Sequence, residues 1–400
     1  MKTLIVLDNL YTGGVATSLY NYLRYASERM ECTLMVFHED SIDEERLPEN
    51  VRVIKPPRLL HILGKNRYEL AQESRFLWLY KAFLTVLCRF TNGEFARRFL
   101  FCFLPKHAEP FDLAISYSQD DGWKSISKGC NDYVLDKVTA KYKAALIHCD
   151  YQDYGGYHPK QQKRFSRFNS IICVSESCRE RFAGCFPELR GQTVACENLT
   201  DVARVQKLAQ EAVVYPEGSM NFVTVSRLGE EKGLERTLHV FRKLRDEGCR
   251  RFTWTIVGDG PERERLQALI AEGGMQEQVI LAGSQKNPYP YLKNASMFVL
   301  PSFNEAAPMV FGECAALHVP IITTVTCSAK EMVTDKNWGI VVENSENGLV
   351  KGLRAVLNGE VDMSVFYNGN EEINQSAEKQ WTAFLSSVKA VVNVREGTEK

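Results

Sequence analysis

The sequence predicts two consecutive α/β domains, each a doubly wound parallel sheet with helices on both faces. Three observations carry this. Short β-branched runs alternate with amphipathic stretches along nearly the whole chain, and the alternation restarts after a charged segment ending at Tyr215-Pro-Glu-Gly218. The 400 residues give length for two or three domains.

In the first half the strand candidates are Leu4-Ile-Val-Leu7, Cys32-Thr-Leu-Met-Val-Phe37, Leu113-Ala-Ile-Ser116, Ala144-Ala-Leu-Ile147 and Ser170-Ile-Ile-Cys-Val174. In the second half they are Asn221-Phe-Val-Thr-Val225, Phe252-Thr-Trp-Thr-Ile-Val257, Val279-Ile-Leu281, Met297-Phe-Val-Leu300, Ile321-Ile-Thr323 and Gly339-Ile-Val-Val342. Such unbroken apolar runs suit parallel strands buried on both faces. Leu234, Leu238, Phe241 and Leu244 recur at helical spacing between two of them. We assign residues 1–205 to the first domain and 216–368 to the second. Residues 370–393 form a C-terminal helix with a stripe of Trp381, Phe384, Leu385, Val388 and Val391, which either packs back on the first domain or caps its own. Residues 394–400 are expected to be a frayed end.

Composition narrows the function. A net charge of −1 gives no global field for nucleic acid. The 12 cysteines include no Cys-x-x-Cys pair, and in a chain of this length they are expected to be reduced thiols of a cytosolic protein. Met1-Lys-Thr-Leu-Ile-Val-Leu-Asp8 is expected to be a first strand, not a signal peptide. No run approaches the ~20 apolar residues of a membrane span.

The most informative stretch runs from Leu300 to Pro320. Glu305 follows the strand Met297–Leu300, on a turn at the carboxyl edge of the sheet, where open α/β folds bind ligands. Pro308 suits a helix's first turn, and Val310, Cys314 and Leu317 recur at helical spacing, with Glu313 about a turn and a half inside. Two carboxylates so placed can grip separate parts of one polar ligand. Val225-Ser-Arg227-Leu-Gly229-Glu-Glu-Lys232-Gly233 puts two cations and two glycines after the second half's first strand. A diphosphate needs such forked donors and an open loop; the plainer reading is a solvated loop. Gly258-Asp-Gly-Pro261 reads as a tight turn before a helix. Gly283 and Ser284, after a third strand, are placed to meet a nucleobase through backbone groups.

In the first half, Gly13 and Gly14 join strand to helix, where backbone can approach a phosphate, without the Gly-x-Gly-x-x-Gly dinucleotide spacing. His148 directly follows a buried strand and precedes Cys149-Asp150. There is no Asp-x-Asp and no metal-spaced His/Cys/carboxylate cluster, so no metal cofactor is expected and positive side chains would compensate a leaving diphosphate.

Ser226-Arg227 through Lys232-Gly233, Gly258-Asp-Gly-Pro261, the Gly283 turn and Glu305-x7-Glu313 followed by Ala315 and Pro320 stand in one order and spacing. With these the chain resembles the retaining glycosyltransferases of family 4, most sharply from Phe222 to about Val342. The resemblance implies the GT-B fold, two Rossmann-like domains facing a cleft, with 1–205 as the acceptor domain and 216–368 as the donor domain for a nucleotide-diphosphate sugar, UDP- or GDP-linked. It implies that Arg227 and Lys232 hold the diphosphate and that Glu313 takes the ribose hydroxyls. Glu305, with the backbone of Ala306, Ala307, Pro308, Met309 and Val310, would contact the transferred sugar. Gly13 and Gly14 would face the phosphates, and His148 the sugar's reactive end. Catalytic roles thus fall on Glu305, His148, Arg227 and Lys232, without a metal. Two departures stand out: Ala306 and His318 occupy positions where the family commonly has glycine. Alanine at 306 would narrow the sugar pocket and resist positive φ.

Pro56–Lys106, with Lys55 just before it, combines Leu59, Leu60, Ile62, Leu63, Phe76, Leu77, Trp78, Leu79, Phe83 and Leu84 with Arg58, Lys65, Arg67, Arg75, Lys81, Arg89, Arg97 and Arg98, against Glu69, Glu73 and Glu94. This reads either as first-domain core or as a surface for anionic membrane. The second reading makes a lipid-linked or glycan acceptor of surface polysaccharide assembly the expected partner, at the inner face of the cell membrane. The alternatives are a nucleotide-sugar epimerase of the same shape and a non-catalytic subunit that binds nucleotide-sugar.

Overall fold

The computed structural model describes residues 1–11, 13–119, 124–155, 157–367 and 372–398, the last four of these by backbone alone. Two compact units emerge, Met1–Leu199 with Ser376–Lys400, and Thr200–Gln375.

The first unit is built on strands β1 (Lys2–Leu7), β2 (Glu31–Val36), β3 (Arg52–Val53), β4 (Phe111–Ser116), β5 (Ala140–Ile147), β6 (Ser170–Cys173) and β7 (Thr193–Ala195). Their order is β3-β2-β1-β4-β5-β6-β7, and every pairing is parallel. The strand order reverses between β1 and β4, which makes that crevice the sheet's switch point. The central strands are sealed on both faces, with Leu4 to Leu7 and Leu113 to Ile115 at 0% exposure. β3 and β7 lie on the two edges and are too short to show a sequence signal.

The C-terminal helix Gln375–Thr398 packs on this unit. Trp381 donates its indole N–H to Glu197 O at 3.0 Å and lies 4.4 Å, centroid to centroid, from Tyr22. Thr382 Oγ1 meets Tyr25 OH at 2.9 Å. The buried stripe is Trp381, Phe384, Leu385, Val388 and Val392, whereas Val391 is 37% exposed. The expected stripe is therefore corrected at its last position, because the next residue on the buried face after Val388 comes at i+4. The helix continues to Thr398 where a frayed end was expected, and its expected start at Asn370 lies outside the described residues.

The second unit holds β8 (Met220–Val225), β9 (Phe252–Val257), β10 (Val279–Gly283), β11 (Met297–Leu300), β12 (Ile321–Thr324) and β13 (Gly339–Val342). The order β10-β9-β8-β11-β12-β13 is the doubly wound dinucleotide-fold order, with its switch point between β8 and β11. Trp254, fully buried, packs against Phe241 and satisfies its N–H on Thr224 Oγ1 at 2.9 Å, as a buried indole requires.

The boundary falls at Leu199/Thr200, earlier than the sequence reading placed it. The helix Val202–Leu208 belongs to the second unit: Gln206 Nε2 donates to Ala316 O at 3.1 Å. Gly312 lies so close that an added Cβ would stand 2.1 Å from Thr200 Oγ1. The turn at Tyr215 is likewise docked, its hydroxyl donating to Tyr291 O at 3.1 Å.

Candidate active site

In the second unit, the loops after β8 and β11 leave the sheet on either side of its switch point. The β8 loop carries Arg227 and Lys232, the β11 loop Glu305. Lys232 Nζ donates to Glu305 Oε1 at 2.5 Å, with the two side chains only 19% and 14% exposed. Ser302 Oγ donates to the same oxygen at 2.8 Å. Arg227 is 70% exposed and reaches Glu231 Oε1 at 2.6 Å. Burial raises the Glu231 pKa, but Arg227's hydrogen bond and charge outweigh it and leave this carboxyl below its ordinary value.

The glycines here serve close backbone packing. Gly233 has φ 63°, and a Cβ on it would stand 2.3 Å from Pro301 O. Only glycine lets the β8 loop press against the β11 loop at that point. A Cβ on Gly258 would stand 1.8 Å from Ser226 O, so the turn after β9 braces the arginine loop from behind.

The β11 loop is anchored from a distance. Arg236 donates to Pro301 O at 2.8 Å and Asn344 Oδ1 at 2.9 Å, and its guanidinium lies 4.1 Å from the Phe303 ring centroid. Asn344 donates to Phe303 O at 2.9 Å and Val325 O at 3.0 Å. Ser328 Oγ donates to Ala306 O. Ser302 stands three residues before Glu305 but was not singled out by the sequence; Arg236, Asn344 and Ser328 carried no local signal because their partners lie far along the chain.

Pro308, at φ −61° and ψ 123°, is the N-cap of the helix Met309–Ala316, not its first residue. Its neighbours Ala306, Ala307, Met309 and Val310 are half-buried, and the first N–H groups of a helix lie beyond intrahelical bonding. Glu313 is 9% exposed and accepts from Tyr289 OH at 3.3 Å. Cys314 is fully buried as expected, with Val310 and Leu317 half-buried against the same core, and Phe311 joins them at 0% exposure. Gly283 closes β10 with φ 73° and accepts from Gly258 N at 2.8 Å, and Ser284 beside it is exposed. His318 has φ 55° and stacks on Tyr367, ring centroids 5.6 Å apart, so its backbone keeps the left-handed conformation glycine would favour. Ala306 is not among the residues with positive φ.

In the first unit, Gly13 caps the helix Gly14–Ser27 in extended geometry, φ 163°, so no left-handed backbone demands glycine there. A Cβ would meet only Tyr11 O, at 3.9 Å. His148 follows β5, half-buried. Its Nε2 lies 2.9 Å from Tyr117 O, which as the protonated nitrogen it donates to, and Gln119 Oε1 accepts from its backbone N–H at 2.8 Å. Burial pushes the imidazole pKa down to about 4, so at neutral pH His148 is uncharged. Gly13, Gly14 and His148 thus lie along the carboxyl edge of the first sheet, and Arg227, Lys232 and Glu305 along that of the second.

The segment Pro56–Lys106 divides between core and surface. Leu60, Ile62, Leu63, Leu77 and Leu84 are buried core, while Phe76, Phe83, Phe90, Phe95 and Phe103 are each at least half exposed. The charge expectation is corrected: Lys65, Lys81 and Arg97 are buried. Arg97 is there to meet Asp132 at 2.6 Å and Lys81 to donate to Lys65 O at 2.7 Å. No described helix is long and apolar enough to cross a membrane. Among the described residues no group of three His, Cys, Asp or Glu is placed to hold a metal ion.

Two doubly wound sheets with these loops define the class: the fold is that of GT-B glycosyltransferases. HepE of Anabaena, solved with UDP, superposes with a TM-score of 0.60 over 100% of this chain and 99% of its own, at 14% identity. Residues 206–380, most of the second unit and the first turn of the C-terminal helix, match the family model of glycosyl transferases group 1. The putative colanic acid biosynthesis glycosyltransferase WcaL of Salmonella typhimurium is 26% identical over 56% of this chain and 57% of its own. The N-acetylgalactosamine-N,N'-diacetylbacillosaminyl-diphospho-undecaprenol 4-alpha-N-acetylgalactosaminyltransferase of Campylobacter jejuni is 28% identical over 40% and 44%. The chain thus spans about half the length of the curated relatives it matches.

Proposed function

We propose that this protein transfers a sugar from a nucleotide-diphosphate sugar to a glycan or lipid-linked acceptor, in the assembly of a surface polysaccharide. The observation that carries the reading is the Lys232–Glu305 pair at 2.5 Å, astride the switch point of the second sheet with Arg227 beside it. Lys232 and Arg227 suit the diphosphate, which as a leaving group gathers charge that fixed cations stabilise without a metal. Glu305 and the backbone of 306–310 suit the transferred sugar, Glu313 the ribose, and Gly283 with Ser284 the base. His148, in the first unit, is the further residue we place in catalysis. Transfer with retention through an oxocarbenium-like state fits a site without an obvious general base. The bound UDP of HepE supports a uridine donor over a guanosine one, and the names of the relatives support a polysaccharide or undecaprenol-linked acceptor.

A thermal-shift screen of UDP, GDP and their sugars, without metal and then with magnesium, tests the donor assignment. One nucleotide should shift the melt without metal, and Arg227→Ala should abolish the shift; no shift from any of them overturns the reading. Glu305→Gln should cut transfer by about a hundredfold or more while nucleotide binding survives. Release of an altered sugar without acceptor would establish the epimerase instead.

The proposal includes a peripheral seat on anionic membrane at the cytoplasmic face. The helices Arg75–Phe90 and Gly93–Phe101 meet through Phe83 and Phe99, ring centroids 6.1 Å apart, and Phe99 continues to Phe103 at 5.5 Å. Arg75 and Arg89, on the first of these helices, and Arg67 before it are exposed, and each such cation adds about 1 kcal/mol at an anionic surface. Cosedimentation with phosphatidylglycerol vesicles should be lost in Phe76→Asp/Phe103→Asp. Its absence in the wild type removes the membrane from the proposal.

A further inference from the structure

The strand β11 is registered with β8 only at Met297 and Phe298. From there on, side chains hold the chain that leads to Glu305, and each carbonyl from Val299 to Phe303 accepts from one. Thr224 Oγ1 donates to Val299 O at 2.6 Å and Thr323 Oγ1 to Leu300 O at 2.8 Å. Arg236 takes Pro301 O, Thr324 Oγ1 donates to Ser302 O at 2.6 Å, and Asn344 Nδ2 takes Phe303 O. Just past Glu305, Ser328 holds Ala306 O. The donors come from β8, from the helix Leu234–Asp246, from β12 and from the loops after β12 and β13.

A loop leaving a sheet ordinarily runs over the surface with its carbonyls on water. This one is tied back to the sheet it leaves. Its amide side is tied as well: Phe303 N donates at 2.9 Å to Glu231 O, in the loop that carries Lys232. Asn344 joins three parts of the cradle with one amide. Its Oδ1 accepts from Arg236 at 2.9 Å, while its Nδ2 serves Phe303 O and, at 3.0 Å, Val325 O.

The cradle ends on the carboxylate. Ser302 and Thr324 are fully buried, and Thr324 fixes the Ser302 carbonyl. The Ser302 hydroxyl then donates to Glu305 Oε1 at 2.8 Å, the same oxygen that Lys232 holds. Among the described residues nothing donates to Oε2.

We infer that Thr324 and Asn344 are positioning residues for sugar transfer: through Ser302 and the loop carbonyls they fix Glu305, with Oε1 occupied and Oε2 presented to the transferred sugar. The inference rests on the glycosyltransferase reading above. A carboxylate held in advance needs no reorganisation as charge develops beside it, whereas a displacement of about 1 Å can cost about a hundredfold in rate. Thr324 acts only through Ser302, and Asn344 only through backbone and Arg236.

Hydrogen–deuterium exchange on the full chain, read on peptides covering residues 299–308, tests whether the loop is held in advance. Without ligand these amides should be protected in the wild type, and UDP should leave their exchange unchanged. Thr324→Val keeps the shape and loses the hydroxyl; Asn344→Asp keeps the acceptor for Arg236 and loses the donors. Each should speed exchange there by about tenfold or more through easier local opening, and Thr324→Ser should restore protection. Thr253→Val is the control, since it removes a buried hydroxyl bonded to Asn221 Oδ1 at 2.8 Å near the amino end of β9. It should leave the peptides unchanged.

Turnover reads the consequence. Nucleotide release from UDP-glucose, UDP-N-acetylglucosamine and GDP-mannose is followed with water in the acceptor's place. The C1–O bond to the diphosphate breaks, C1 bonds to the water oxygen, and a water proton goes to the released nucleotide. Thr324→Val should lower kcat by about tenfold or more with KM unchanged, and Thr324→Ser should recover it. Exchange unchanged in both variants, a wild-type loop protected only with UDP, an equal effect of Thr253→Val, or a change in KM with kcat intact each overturns the inference. Where the wild type releases no nucleotide, exchange alone decides the cradle, and melt shifts with UDP or GDP decide the glycosyltransferase reading separately.

Discussion

Lys232 and Glu305 are each too enclosed to be left alone: removing one strands the other in a pocket where unpaired charge is costly. Their pairing, with Ser302 on the same carboxylate oxygen, fixes both side chains at the switch point. On the proposed reading, a diphosphate and a sugar bound there would exchange one set of charge-assisted bonds for another, instead of desolvating groups afresh. His318 shows a different balance. Left-handed backbone costs a non-glycine residue about 1–2 kcal/mol, and the stack on Tyr367 helps offset it. At His148 the pKa is depressed from 6.5 to about 4, so between those values the unfolded chain binds the proton more readily than the folded one. The resulting contribution to stability is complete above pH 6.5 and lost as pH falls through 4. Denaturant midpoints of the first unit, followed from pH 7 to 4, should show this loss, and His148→Gln should flatten it.

Among the elements, the C-terminal helix has the clearest energetic role. Trp381 is 3% exposed, with its N–H satisfied. Trp381→Ala should lower the stability of the first unit by about 3–5 kcal/mol, measured by urea denaturation, and leave nucleotide binding to the second unit intact. All six strands of the second sheet were legible in the sequence, because parallel strands buried on both faces are continuous apolar runs. In the first sheet five of seven were legible. β3 and β7, of two and three residues, pair only along one edge and need no such run. The helix after Glu305 was legible from Pro308 onward, and with it the core contacts of Val310, Cys314 and Leu317, but Phe311 and Gly312 were not, since they are chosen by what packs on them from Thr200 and the second sheet.

For the whole molecule, the second unit is a continuous segment set into a first unit that the chain re-enters at Ser376. Each unit has its own sheet, and the second its own core around Trp254. A ligand of the second unit alone should therefore stabilise that unit in particular. In calorimetry, a nucleotide at 100 times its dissociation constant should add about 2.7 kcal/mol to the transition of residues 200–375, with a smaller effect on the transition that Trp381→Ala weakens. Equal shifts of both would show that the two unfold as one body.

The sequence by itself determined the two-sheet plan and the order of the motifs, and it singled out Arg227, Lys232, Glu305 and Glu313 as candidates, because these are local signals read within one strand–turn–helix unit. Only the tertiary structure decided what lies between the motifs. Lys232 and Glu305 are 73 residues apart, Arg236 and Asn344 are 108, and Trp381 and Glu197 are 184. No spacing along the chain encodes such meetings. The strand order creates them, by bringing loops to one edge of a sheet, and glycines such as Gly233 and Gly258 allow them, by letting backbone touch backbone where any side chain would collide.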